Sequence, residues 1–463
     1  MKQEIKFDPL IFRAYDVRGI YGKTLDEEIM KSIGNAFGQI AGDCVVGWDV
    51  RGSSIPLAQA FVEGLTDSGH NAMIIGQTPL AATCFAGWKQ NINSAYITAS
   101  HLTKEWNGIK FFDRQGVGLM QEGTFRIRDI VAASKYAKKE KKITQDISSK
   151  ETIEKYIEHI ISKIKPGKKI KLIIDCGNGA AGSLAPKLFE KAGFICKNIF
   201  IEPDGDFPNR LPDPAEDELT ELSKNAKNAY MGIAYDGDGD RLVIMDERGR
   251  KLTPEQISYI ILMDLLEKEK GHVVANVECT RMIDDAAKKF SRKVERIPVG
   301  HTYMMQAVQK SKAAFGVERS GHYAIPLLVP FDDSIAISYY AACVLSKSDK
   351  KLSEIVDEMP AYPFERLNFE CDDKEKFSTV ERIKQQLKKQ NNKESDARGA
   401  GPLKINDMDG VRVDFKDGWI LIRASNTGPS IRLTIEAETK ERLEELKKEF
   451  SEMLEEGIRS AYS

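Results

Sequence analysis

The chain has little that suits it to life outside the cell or in a membrane. Its seven cysteines (Cys44, Cys84, Cys176, Cys196, Cys279, Cys343 and Cys371) are odd in number, scattered and never spaced CxxC. Neither a disulfide framework nor a thiolate zinc site is expected from them. The start, MKQEIKFDPL, lacks the apolar core of a signal peptide, and no apolar run approaches the roughly 18 residues that span a bilayer. Charge of one sign is missing too: 68 basic against 70 acidic residues leave a formal −2. That balance gives nucleic acid and anionic membrane surfaces no electrostatic hold. The expectation is a cytoplasmic monomer or small homo-oligomer whose partners are small molecules, not nucleic acid or membrane.

What the chain does have is length and pattern. Its 463 residues exceed what one core organises, and 41% hydrophobic with 30% charged residues is a globular balance. Three stretches repeat one plan: CVVGWDVRGSSIPLAQAFVEGLTDSGHNAMIIG, KLIIDCGNGAAGSLAPKLFEKAGFICKNIF and HVVANVECTRMIDDAAKKFSRKVERIP. In each, a continuous apolar strand run gives way to apolar residues spaced by three or four, such as Leu184, Leu188 and Phe189, and then to another strand. This alternation predicts α/β crossover units. The charged stretch KKEKKITQDISSKETIEK, from Lys138, reads as a solvated separator of the first unit from the second, and DERGRKLTPEQ near Arg248 as the passage into the third.

From about Tyr362 the pattern changes. FERLNFECDD, GVRVDF, GWILIRAS and SIRLTIEA read as strands; VERIKQQLKK and KERLEELKKEFSEMLEEGI read as helices, the last with Leu443, Leu446, Phe450, Met453 and Leu454 at helical spacing. Between them KKQNNKESDARGAG reads as a mobile loop. The predicted fold class is α/β: three related α/β domains with mixed sheets, followed by a smaller α+β C-terminal domain. The expected divisions are 1–145, 146–250, 251–362 and 363–463.

Four short stretches carry chemistry. In SAYITASHLTKEWNGIKFF, residues 94–112, a strand gives way to Thr98, Ala99, Ser100 and His101 before order resumes, so Ser100 is either a nucleophile or a loop serine. In AYDGDGDRLVIM, Asp236, Asp238 and Asp240 alternate with glycines, so three carboxylates can turn towards one hard divalent cation. The spacing mimics an EF-hand as far as Glu247, but Arg241 stands where that loop needs glycine and LVIM is a strand. In GVERSGHYAI, Glu318, Ser320 and His322 can offer a polyol an acceptor, a hydroxyl and an imidazole. In RASNTGPSIRLTIEA, residues Arg423, Ser425, Asn426, Thr427, Ser430 and Arg432 are equipped to hold a phosphate dianion.

Taken together, FRAYDVRGIYG, TASH with NGIK, DGDGDR, VERSGH and RASNTGPSIR resemble the α-D-phosphohexomutases, in order and from near residue 12 to the C-terminus. Within that superfamily the chain looks like the phosphomannomutase/phosphoglucomutase group. The resemblance implies four domains around a central cleft and a phosphorylated Ser100 that binds Mg²⁺ together with Asp236, Asp238 and Asp240, with Arg241 as a further cation. It implies interconversion of hexose 1-phosphate and hexose 6-phosphate (mannose, glucose or both) through a hexose 1,6-bisphosphate, which also acts as activator. Lys110, Arg18, His101 and His322 become candidates for the acid and base. Tyr15 lies with Arg18 in the N-terminal motif lining the cleft, Glu318 and Ser320 match the sugar-binding residues, and Arg423, Ser425, Asn426, Thr427 and Arg432 match the loop gripping the phosphate that is not being transferred.

The chain departs from the family pattern in three places. Leu102 and Thr103 replace Asn and Pro after TASH, Ala424 and Gly428 stand where Pro and Glu are common, and Arg319 lies between the two sugar-binding residues. Three other readings compete. A phosphoglucosamine mutase is set apart by Asn426, where SGT is usual in that group. A metal-dependent sugar phosphatase would not need the sugar and phosphate loops, and a non-catalytic sugar-phosphate sensor would never carry covalent phosphate.

Overall fold

The first crossover stretch folds as its pattern predicts. In the computed structural model, which describes residues 7–140, 142–394, 404–425 and 429–460, Cys44–Trp48 lies between Ala72–Gln77 and Asn93–Ile97, parallel to both. Trp106–Phe112 then returns antiparallel, and Asp16–Ile20 pairs antiparallel with it, which makes the sheet mixed. The helices Glu27–Ala41 and Ser54–Asp67 pack closely because glycines face the crossing: a Cβ on Gly34 would lie 2.1 Å from the Phe61 carbonyl oxygen, and one on Gly64 1.8 Å from that of Lys31. Beneath them Phe37 stacks on Phe111 at 5.1 Å.

The charged stretch after Lys138 is more than a separator. Thr144–Asp146 pairs parallel with Ala72–Gln77 as the sixth strand of the first sheet, and the helix Ser149–Lys163 starts at once, its first turn capped by the Ser148 hydroxyl. All three residues of that edge strand are exposed, so no apolar alternation betrays it.

In the second stretch Lys171–Asp175 runs parallel to both Ile195–Ile199 and Met231–Tyr235. Met231–Tyr235 and Leu242–Asp246 form an antiparallel hairpin, and residues 236–241 are its connection. The third stretch supplies Val273–Asn276, the helix Met282–Lys289 and Val294–Ile297. Downstream, Phe315–Val317 and Tyr323–Ala324 pair antiparallel and present residues 318–322 as a turn.

The C-terminal sheet has five antiparallel strands in the order Phe364–Glu370, Ser430–Ala437, Gly418–Ala424, Val411–Asp414, Lys404–Asn406. Its two-residue period makes two different faces. Ile420, Ile422, Ile431, Leu433 and Ile435 pack with Ile383, Leu446 and Phe450 of the helices Lys376–Glu394 and Lys440–Arg459. The first of these helices continues through residues 388–394, which the composition had marked as loop; Lys and Gln are good helix formers and outweigh the asparagines there. Residues 395–401 of that predicted loop lie outside the described residues.

The chain forms two compact units: Met1–Val273 with His301–Glu358, and Val274–Gly300 with Met359–Ser463. Residues 274–300 thus pack with the C-terminal sheet, on its second face, where Val277 meets Trp419 and Leu421 and Arg412 donates to the Val277 carbonyl at 2.6 Å. None of the seven cysteines forms a disulfide, and all but Cys196 are buried. Among the described residues no helix is long and apolar enough to cross a membrane.

Candidate active site

In the first unit the chain leaves the strand Asn93–Ile97 and places Ser100 in the left-handed region at φ 52°. For an L-residue this costs about 1 kcal/mol or more, and the surroundings hold it there. The Thr98 hydroxyl accepts from the Ser100 amide at 2.7 Å. The fully buried Arg51 donates to the carbonyls of Ser100 and Leu102 at 2.8 and 2.6 Å, while its Nε pairs with Asp49 at 3.1 Å. Asp49 is itself fixed by the hydroxyls of Ser54 at 2.6 Å and Thr98 at 2.8 Å. Arg51 therefore secures the loop in which Leu102 and Thr103 occur.

The three aspartates converge on that serine. Ser100 Oγ donates to Asp236 Oδ2 at 2.8 Å, and Asp236 Oδ1 accepts the backbone N–H groups of Gly239 and Arg241 at 3.0 and 3.1 Å. Gly237 permits the approach: a Cβ there would lie 2.6 Å from the Ser100 carbonyl oxygen. Lys110, on the strand Trp106–Phe112, reaches the same loop and pairs with Asp238 Oδ2 at 2.9 Å and with Asp240. All three carboxylates are buried, with ligand atoms within 4.8 Å of one another. Burial and the like charges of Asp238 and Asp240 push the Asp236 carboxyl well above its ordinary range. Burial acts on Asp240 in the same sense, but Lys110, His322 and Arg241 outweigh it and hold that carboxyl low.

Asp238 Oδ1 and Asp240 Oδ1 are buried without a hydrogen-bond partner among the described residues. Oxygen-only donors with two oxygens unused, in a cluster short of positive charge, fit a hard divalent cation.

Around this centre lie the remaining predicted residues of the first unit. His101 Nδ1 is 3.4 Å from Ser100 Oγ; burial and the charges of Arg241, Arg18 and Lys110 drive its pKa down to about 2, so the ring is neutral. Arg18 is oriented by Asp16 at 2.7 Å. Arg241 points Nε at His322 Nε2, 3.3 Å away. The turn carrying Glu318 and Ser320 is closed by the Glu318 amide on the His322 carbonyl at 2.9 Å, with Glu318 buried and Ser320 exposed. Arg319 pairs with the buried Glu255 at 2.6 Å, so its cation is already matched to a carboxylate.

Besides Arg51, two residues of this centre were missed by the sequence reading. Asp332 Oδ2 lies 3.1 Å from His322 Nδ1 and 3.4 Å from His301 Nδ1. The His301 ring stacks on that of His322 at 5.0 Å and takes Tyr15 edge-on at 6.0 Å. Despite burial, Asp332 raises the proton affinity of His301, and the two histidines hold Asp332 below the usual carboxylate range. The sequence signal was weak: one histidine among GHTYMM and one of two adjacent aspartates in FDDS.

In the second unit Arg423 and Arg432 face each other across neighbouring strands. The Ser425 amide donates to the Ser430 carbonyl at 2.9 Å, which closes the loop, and the Ser425 carbonyl accepts from Lys376 at 2.7 Å. Asn426 and Thr427 lie outside the described residues.

Four family models match successive parts of the chain: phosphoglucomutase/phosphomannomutase alpha/beta/alpha domain I over 9–138, domain II over 154–249, domain III over 253–362 and the C-terminal domain over 367–453. The chain belongs to the phosphoglucomutase/phosphomannomutase family. It is an enzyme of this mutase type, and its buried Asp cluster is a group that could hold a metal ion. Among its relatives, a phosphomannomutase/phosphoglucomutase of Pseudomonas syringae pv. tomato is 32% identical, with 94% of this chain and 93% of the relative covered. A probable phosphoglucosamine mutase of Methanopyrus kandleri is 30% identical over 96% and 97%. A solved structure of a phosphoglucomutase/phosphomannomutase family protein from Burkholderia thailandensis is similar with TM-score 0.87, 25% identity and 98% coverage of both chains.

Proposed function

We propose that this enzyme interconverts hexose 1-phosphate and hexose 6-phosphate, of mannose and glucose, with Ser100 as phosphoryl carrier. The observation that carries the reading is the Ser100 hydroxyl bonded at 2.8 Å to an aspartate of a buried triad with unpaired oxygens. Phosphoryl transfer needs positioning and charge neutralisation more than covalent assistance. Asp236, Asp238 and Asp240, with Ser100, would hold Mg²⁺, which when bound supplies positive charge to the phosphoryl oxygens.

In the first half-reaction a free sugar hydroxyl attacks the phosphorus of phospho-Ser100, and the P–O bond to Ser100 Oγ breaks. The hydroxyl proton passes to a base, for which His101 and His322 are the candidates, while Lys110 and Arg18, both cations, are candidates for the acid. The product is the hexose 1,6-bisphosphate, which also serves as activator by recharging Ser100. After the bisphosphate turns over, Ser100 Oγ takes its other phosphoryl group and the proton returns to the freed sugar oxygen. Arg241 adds a cation at this centre. Glu318 and Ser320, with Tyr15, would position the sugar hydroxyls. Arg423, Ser425, Asn426, Thr427 and Arg432 would grip the phosphate that is not reacting. Four domains divided near 145, 250 and 362, and a cytoplasmic monomer or small homo-oligomer, complete the reading.

A phosphoglucosamine mutase is the second reading, favoured by the similarity to relatives bearing that name. Turnover of glucose, mannose and glucosamine 1-phosphates, each with Mg²⁺ and its 1,6-bisphosphate, separates the two. Isomerisation of the first two, with glucosamine phosphate poor, supports the proposal; a strong preference for glucosamine phosphate overturns the substrate assignment. Release of inorganic phosphate without isomer overturns the mutase mechanism.

A further inference from the structure

The second face of the C-terminal sheet gathers more positive charge than the phosphate loop alone contributes. Arg423 stands opposite Arg432, and Arg366 stands opposite Thr434, two residues further along the same strand. Side chains two apart share a face, so all three guanidinia project from one side of the sheet. Glu278, just beyond the strand Val273–Asn276, is buried among them. Its Oε1 accepts from Arg423 Nη1 at 3.3 Å and its Oε2 from Arg366 Nη2 at 3.0 Å, while Asp409 stands 3.4 Å from Arg423 Nε.

Even so, the cluster is short of acceptors. Among the described residues, Arg423, only 3% exposed, has Nη2 without a partner, and Arg432 Nε is buried and unpaired. Burial and the nearby charges of Arg366 and Arg423 lower the proton affinity of Arg432 despite Glu278. These unpaired donors fit a phosphate dianion, which guanidinium forks bind as readily as they bind carboxylates. A phosphate seated on Arg423 Nη2 and Arg432 Nε would share the Arg423 fork with the Glu278 carboxylate, and two anions on one fork repel.

We infer that Arg366 is a third phosphate-gripping side chain of this site, and that Glu278 is an internal counter-ion which phosphate displaces from Arg366 and Arg423. This rests on reading the Arg423 loop as the phosphate-binding loop. Glu278 then sets how tightly phosphate is held. The device suits a mutase, whose intermediate must be released from this grip, turned over and gripped again by its other phosphate. A carboxylate that takes back the arginines lowers the cost of letting go.

The test is titration of the full-length protein with inorganic phosphate, without Mg²⁺, alongside KM and kcat for glucose 1-phosphate. Glu278→Gln keeps the size and one acceptor but removes the competing charge. It is expected to bind phosphate about tenfold more tightly, with KM and kcat both falling. Arg366→Gln, at a partly exposed strand position, is expected to weaken phosphate binding about tenfold. Unchanged or weaker binding in Glu278→Gln, or unchanged binding in Arg366→Gln, overturns the inference. Arg423→Ala separates the two levels. If it leaves phosphate binding intact, the reading of the loop itself fails; if it abolishes binding while Glu278→Gln brings no tightening, only the counter-ion role fails.

Discussion

Around Ser100 three buried aspartates have, among the described residues, one cation, Lys110, in direct pairing contact. Lys110 engages one oxygen each of Asp238 and Asp240 and leaves the other oxygen of both buried and unpaired. Around Arg423 the imbalance is reversed, because Glu278 and Asp409 leave donors of Arg423 and Arg432 unused. A buried polar atom without a partner costs about 1–3 kcal/mol, so each cluster holds a deficit that a ligand of the missing sign relieves. The first asks for a cation and the second for an anion. A mutase uses both: one centre where charge develops during transfer, and one where a spectator phosphate is held.

The largest effect expected is at the carrier. Ser100→Ala should lose about 10⁴-fold or more in turnover, as removal of a nucleophile does, while circular dichroism and melting temperature stay near wild type. Next is the acidic cluster: Asp240→Asn should lower the rate by about 10²-fold or more and weaken its dependence on Mg²⁺. Mg²⁺ should raise the melting temperature of the wild type but not of this variant. An unchanged metal requirement would mean that the acidic cluster does not hold the ion.

Arg423→Ala tests the second cluster. It should raise KM for hexose phosphates about 10- to 100-fold, the worth of a charge-assisted hydrogen bond or two, with a smaller change in kcat. A loss confined to kcat would place Arg423 at the transferring phosphoryl instead. Arg51→Lys should cost about tenfold in kcat with KM little changed, because a lysine cannot reach both loop carbonyls and Asp49 at once. The smallest effect is expected at Arg319. Paired with Glu255, it should leave the ratios of kcat/KM among glucose, mannose and glucosamine phosphates within about twofold in Arg319→Met.

How much of this was legible in the sequence depended on whether the signal was local. The Asp236, Asp238 and Asp240 alternation needs only adjacent residues, and the helical and strand periods of the crossover stretches are equally local, so these were readable. Glu278 and Arg423 are 145 positions apart, and nothing in VECTR or WILIRAS announces that they meet. Asp332, His301 and Arg51 escaped for the same reason: each matters through a partner brought in by the fold. Thr144–Asp146 escaped differently, since an exposed edge strand needs backbone partners and not an apolar face. The extent of the helix Lys376–Glu394 was underestimated because a polar composition was read as loop.

The most direct test of the central claim is peptide mass spectrometry of the protein after incubation with glucose 1,6-bisphosphate and Mg²⁺, in parallel with the isomerisation assay. Phosphate is expected on the peptide containing Ser100, lost on addition of excess hexose monophosphate and absent from Ser100→Ala. Steady isomerisation with phosphate only on another residue, or with none on the protein, would contradict it.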